Sequence, residues 1–168
     1  MVTQITDVVD SEVLFTTVFE PTLTMVGCKN VFPFPLRPIL EDSELMDILQ
    51  LSEGDDQDKL EAWFMNRTGI KHEDVGGSLE YIQIQTWTIS GFAWHVDMES
   101  SRQYIQDITD KLCRTFERNK NASLHGDVEI HDIVANYIPE QIGSIFTYSS
   151  KITLTIRLRV RDGVRISS

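Results

Sequence analysis

Apolar and polar residues alternate almost without a break toward the end of the chain. Ile152, Leu154, Ile156, Leu158 and Val160 share one phase, and Thr153, Thr155, Arg157, Arg159 and Arg161 share the other. Successive side chains of a strand point to opposite faces, so the pattern predicts a half-buried antiparallel strand. Tyr148 and Phe146 continue the apolar phase backwards, giving a ribbon of about fifteen residues, roughly 50 Å at ~3.3 Å per residue. Strands usually run to about five or six residues. This one is expected either to bend at Ser149–Ser150 or to send one end beyond the body of the fold.

The remaining pattern is more mixed. Ile5, Val8, Val9, Val13, Leu14 and Val18 fall roughly at helical spacing, with Pro21 as the expected stop, although Phe15–Phe19 also reads as strand. Pro33, Pro35 and Pro38 exclude a central strand and predict an extended connection. Ser43 is placed to cap a short helix through Leu51. A second helix is predicted from about Asp58 to Asn66, with Leu60, Trp63 and Phe64 on one face and Gly69 as its stop. Beyond Gly76–Gly77 a β region covers Leu79 to Val96. Its apolar phase switches twice, which predicts either bulges, with Gly91 as a kink, or burial on both faces.

The clearest helix spans about Arg102–Arg118, with Ser100 or Ser101 as cap and a stripe of Ile105, Ile108, Leu112 and Phe116. Val128 and Ile130, with Val134, mark a short strand, and a loop containing Pro139 and Gly143 leads to the terminal ribbon. The second half therefore reads β-β-α-β-β. This is an α+β fold: an antiparallel or mixed sheet with the main helix packed on one face and a long projecting C-terminal strand or hairpin.

At 168 residues, 41% of them hydrophobic, the chain fits one domain (1–168) with a real core. It contains no apolar run long enough for a membrane span, and Met1–Asp7 lacks the pattern of a signal peptide. Cys28 and Cys113 are too few for a disulfide framework, so reduced thiols in a cytoplasmic compartment are expected. The net charge of −11 is unevenly spread. Glu41, Asp42, Glu44, Asp47, Glu53, Asp55, Asp56 and Asp58 form an acidic run with no basic residue, whereas residues 151–168 set Lys151, Arg157, Arg159, Arg161 and Arg165 against Asp162 alone. Such poles can steer like copies or partners together. The plainer alternative is a solvated acidic loop and a cation-guarded sheet edge. Net acidity argues against tight, sequence-independent nucleic-acid binding.

The chemistry-bearing residues do not converge. His95-Val-Asp97 and His125-Gly-Asp127 both read His-x-Asp, the first part of a facial triad that His131 could complete. The predicted helix at 102–118 separates the first pair from any distal histidine. On one strand His125 and His131 would stand roughly 20 Å apart at ~3.3 Å per residue, too far for one metal. His72 has no such partner. Cys113 reads as a small buried hydrophobe on the best helix, and Cys28 has no local histidine. A Gly-x-Ser-x-Gly elbow, a phosphate-cradling glycine loop and an EF-hand are all missing. No cofactor, metal or enzymatic activity is expected. Trp63, Trp87 and Trp94 are either interface anchors or core.

One stretch resembles a known family. It comprises Thr86-Trp-Thr-Ile-Ser-Gly-Phe-Ala-Trp-His-Val, a serine-capped helix, Ala122-Ser-Leu-His-Gly-Asp-Val-Glu-Ile, Tyr137-Ile-Pro-Glu-Gln-Ile-Gly143 and the final strand Phe146–Arg161. In element order it is similar to the tail terminator (tail completion) proteins of long-tailed bacteriophages, over residues 82–161. The stretch 33–78 reads as a longer, acidic insertion relative to a minimal member. The resemblance implies a small α+β subunit that assembles as a hexameric ring on the end of the tail tube. It also implies that the ring stops tube polymerisation and meets a head-completion or neck connector protein. DNA would pass through the lumen without specific binding, a sheath protein is a further possible partner, and the location would be the virion tail or neck after assembly in the host cytoplasm. Trp87, Trp94, Tyr137, Pro139, Ile142, Lys151, Arg157, Arg159 and Arg161 are then the candidate subunit or partner interface. The acidic run 41–58 is the candidate lumen or partner face. The alternatives are another head–tail connector or neck adaptor, or a small metal-assisted enzyme using His95, Asp97 or His125.

Overall fold

The structure, a computed structural model, describes residues 14–35, 43–44, 47, 59–74, 80–95, 97–118, 128–142 and 145–161. A π-helical turn (Phe15–Phe19) leads directly into helix α1 (Glu20–Val26). Strands β1 (Val31–Phe32), β2 (Lys59–Asp74) and β3 (Glu80–His95) follow, then helix α2 (Met98–Arg118), β4 (Val128–Ile142) and β5 (Ile145–Arg161). The strands form one five-stranded sheet in the order β1-β2-β3-β5-β4, antiparallel throughout except for the parallel β1–β2 pair. With α2 packed on one face, this is the α+β architecture that the alternation and the long amphipathic helix predict.

The terminal ribbon is one uninterrupted strand, and it lies inside the sheet. Each residue of β5 has a partner on β3 or β4, and pairing runs straight through Ser149 and Ser150 on both sides. Its length is therefore used within the sheet, and the expected cation-guarded edge is not where these residues sit. Ile152, Leu154, Ile156 and Leu158 are all buried against the helix side, where Ile105, Ile108, Leu112 and Phe116 of α2 meet them. Phe146, in the same phase, is 58% exposed.

Four elements differ from the expected ones. Residues 59–66 are not helical but form the first half of β2. Leu60, Ala62 and Phe64 face one side of the sheet, Glu61, Trp63 and Met65 the other, and all six are buried. A strand covered on both faces has no period-two signature, so its apolar positions mimic helical spacing. Gly69 does not end a helix; it stands at a register shift in β2. Pro21 does not close the first segment, because it occupies the first turn of α1, where its missing N–H removes no helical hydrogen bond. The helix stops instead at Gly27, whose φ of 109° lets its N–H return to Leu23 O at 3.1 Å. The expected loop around Pro139 is the second half of β4, an edge strand, which is where a proline can sit in a sheet.

The two phase switches in 79–96 resolve as burial on both faces. β3 keeps an unbroken register with β5 from Glu80 to Ala93, so Gly91 makes no kink. Helix α2 is capped by Asp97, one turn earlier than the expected serines: Ser100 N donates to Asp97 Oδ1 at 2.7 Å. Ser43, Glu44 and Asp47 are helical, as predicted for the short acidic helix; the rest of that helix and of the acidic run lies outside the described residues.

Candidate assembly surfaces

The helix side of the sheet is held by two polar centres. Glu61, 1% exposed, accepts the backbone N–H of Lys29 at 3.0 Å and Trp63 Nε1–H at 2.7 Å on one oxygen, and the Tyr104 hydroxyl at 2.7 Å on the other. It thus ties the segment before β1, strand β2 and helix α2 together. Burial pushes its carboxyl above the usual range, against the three hydrogen bonds that pull it down. Burial and then the Glu61 charge drive the Cys28 thiol and the Tyr104 phenol strongly upward, so Cys28 is held as a neutral thiol. The second centre runs along β3: Trp87 Nε1–H donates to Gln85 Oε1 (2.9 Å), Gln85 to Gln83 Oε1 (2.7 Å), and Gln83 to His72 Nε2 on β2 (2.9 Å). The last step links β3 to β2. Both glutamines are buried, so the relay satisfies polar atoms that would otherwise be costly there.

These centres are architectural, and the candidate chemistry does not assemble beside them. Asp97 spends its carboxylate on the α2 cap, and the Ser100 N–H holds its pKa below the usual range. His95 stacks on Tyr104 with ring centroids 4.0 Å apart. His131 pairs with Glu129 at 3.1 Å on the exposed edge strand, and His125 and Asp127 lie outside the described residues. Among the described residues, no three His, Cys, Asp or Glu side chains are grouped to hold a metal ion.

The expected interface residues separate into three groups. Trp87 is core: it is 3% exposed and its ring centroid is 4.8 Å from that of Phe19, so it is not available as a surface anchor. Trp94 and Ile142 are half-buried on the face opposite α2, against a second apolar cluster of Leu60, Ala62, Phe64 and Phe92. Tyr137, Pro139, Lys151 and Arg157 reach the surface. Tyr137 donates its hydroxyl to Asp110 on α2 at 2.9 Å, and burial, with that carboxylate, pushes its pKa up to about 12. Lys151 and Arg157 project from the face opposite α2; Arg159 and Arg161 pair with Ile82 and Glu80, and their side chains lie outside the described set. Of the acidic residues, Glu44 and Asp47 are exposed, and Glu41, Asp42, Glu53, Asp55, Asp56 and Asp58 are outside the described residues.

Sequence reasoning missed the sheet edges. β4 is an edge strand of 15 residues with Val134 and Ile138 54% and 52% exposed. Among the described residues, the outer side of β2 pairs only with β1, at Trp63 and Phe64. Its second half carries the half-exposed Ile70. Long edges with exposed apolar residues are pairing surfaces unless they are guarded. A register-breaking bulge before Val134, where Asp132 has φ 48°, and the proline at 139 both guard β4 in part. Edge position is set by strand order, which no local pattern encodes.

No protein-family model matches the chain, and no curated protein matches it.

Proposed function

We propose that this chain is a structural virion protein, a ring-forming tail terminator that caps the tail tube, stops its growth and joins the tail to the head or neck connector. The observation that carries the reading is the fold of residues 82–161. A strand bearing Trp87 and Trp94, a capped amphipathic helix and two long paired strands follow in the order that the resemblance implies. The net charge of −11 suits a channel that DNA traverses, because like charge repels phosphate and prevents sticking. In this reading the exposed sheet edges meet neighbouring subunits, while the acidic run faces the lumen or a basic partner.

The test is the mass of the purified chain by size-exclusion with light scattering, followed by co-purification with tail-tube protein and, separately, with connector protein. A closed oligomer of six copies that retains tube protein is expected. An oligomer that retains only connector protein would favour the neck-adaptor alternative. A single-copy mass in the presence of tube protein would contradict the ring.

A further inference from the structure

We propose that copies of this chain join head to tail through the sheet itself, the second half of β2 in one copy, which no described strand pairs on its outer side, pairing antiparallel with β4 in the next. The inference deepens the ring reading by naming the two surfaces that meet, and it rests on observations independent of the family resemblance.

Direction comes first. Three successive antiparallel pairings (β2–β3, β3–β5 and β5–β4) leave β2 and β4 running in opposite senses. A second copy set beside the first in the same orientation therefore presents its β2 antiparallel to the first copy's β4. The contact is heterologous, so each copy keeps one used and one free edge until a ring closes.

Charge agrees with this arrangement. Residues 128–142 carry Glu129, Asp132 and Glu140 with no lysine or arginine, whereas the second half of β2, residues 66–74, carries Arg67 and Lys71 ahead of Glu73 and Asp74 at its end. Moreover, the opposite charges stand at matching levels of the sheet. Lys71 faces Ile84, Ile84 faces Arg157, and Arg157 faces Glu129, so Lys71 and Glu129 share one row and one face. Arg67 faces Trp87, Trp87 faces Leu154, and Leu154 lies opposite the bulge that contains Asp132. Side-by-side contact without a vertical shift brings both pairs together.

The same rows explain where pairing stops. Pro139, which has no N–H to give, stands in line with Tyr148, Ala93 and Glu61, close to where β1 already takes up the outer side of β2. The part of β2 that carries Arg67 and Lys71, where no described strand pairs on the outer side, thus stands level with the Glu129–Asp132 half of β4. Lys71–Glu73 (3.0 Å) and Glu129–His131 (3.1 Å) are surface pairs of little individual worth, easily exchanged for contacts between copies.

Two variants of the full chain test this by native mass spectrometry. The first is Arg67→Glu/Lys71→Glu, which makes both edges acidic. The second is Glu129→Lys/Asp132→Asn, which removes the acidic pair from β4; asparagine tolerates the positive φ at 132. Circular dichroism establishes that each is folded. Each variant alone is expected to show at least about a tenfold loss of oligomer, and an equimolar mixture to regain it with the two variants alternating. In addition, the wild-type oligomer is expected to dissociate about tenfold more readily between about 50 mM and about 500 mM salt. A wild-type oligomer that persists in both folded variants, or is indifferent to salt, overturns the edge pairing while leaving the ring reading intact. A folded mixture that stays single-copy also overturns the edge pairing. A wild-type chain that is itself single-copy overturns both.

Discussion

Trp63 and Gly91 face each other across β2 and β3, and the indole lies so close that a Cβ on residue 91 would stand 2.4 Å from its Cζ3 atom. Glycine is required here by proximity, not by backbone conformation. Gly91→Ala is expected to destabilise the fold by about 1–3 kcal/mol through overpacking, read as a lower urea midpoint. Combining it with Trp63→Leu should cost less than the sum of the two single changes, because the smaller side chain vacates the contested space.

Glu61 yields a prediction with a sign. Its folded-state pKa is raised by burial, so its contribution is full below the ordinary carboxylate value of 4.5 and is lost as pH rises through the raised value. Glu61→Gln keeps an oxygen for Lys29 N–H and Trp63 Nε1–H, and its amide can donate to Tyr104 once that hydroxyl reverses. Glu61→Gln should therefore gain on the wild type as pH rises from 4.5, in urea unfolding followed across that range. Glu61→Leu leaves those donors buried without an acceptor, at about 1–3 kcal/mol for each orphaned group.

Cutting the β3 relay in its middle should be costly despite the gain in hydrophobicity. Gln85→Leu strands both Trp87 Nε1–H and Gln83 Oε1 in the interior, again at about 1–3 kcal/mol each. Removing the donor and the relay together, as Trp87→Phe/Gln85→Leu, should recover part of that loss. Thermal unfolding monitored by circular dichroism measures it.

Asp97 predicts an acid-sensitive helix start. Its pKa is lowered by the Ser100 N–H it accepts, so its stabilisation is present above 3.8 and fades as pH falls through the lowered value. Asp97→Ala should be less stable than wild type at neutral pH and converge with it in acid, whereas Ser101→Ala should not converge. Thermal unfolding from neutral to acid pH separates the two.

The elements that could be read from sequence are those with one wet face. β5 alternates along Ile152–Leu158 because threonines and Arg157 sit toward solvent, and α2 shows its stripe because Asp107, Asp110 and Arg114 point outward. β2 could not be read this way: Leu60–Met65 is buried on both sides, so nothing polar marks its period. Pro139 concealed β4, because a proline excludes a central strand but not an edge strand. The candidate surface was legible only in its residues. The terminal arginines stood out, yet whether they guard an edge or cross the middle of a sheet depends on pairings with residues 80–93 and 128–142. Those pairings join parts of the chain far apart in sequence.

In the proposed function this subunit ends a growing tube. The most direct test is to add the purified chain to polymerising tail-tube protein and measure tube lengths by electron microscopy. Tubes are expected to stop short in proportion to the added chain, each bearing a ring at one end. Tubes of unchanged length without a terminal ring, at a saturating concentration of folded chain, would contradict it.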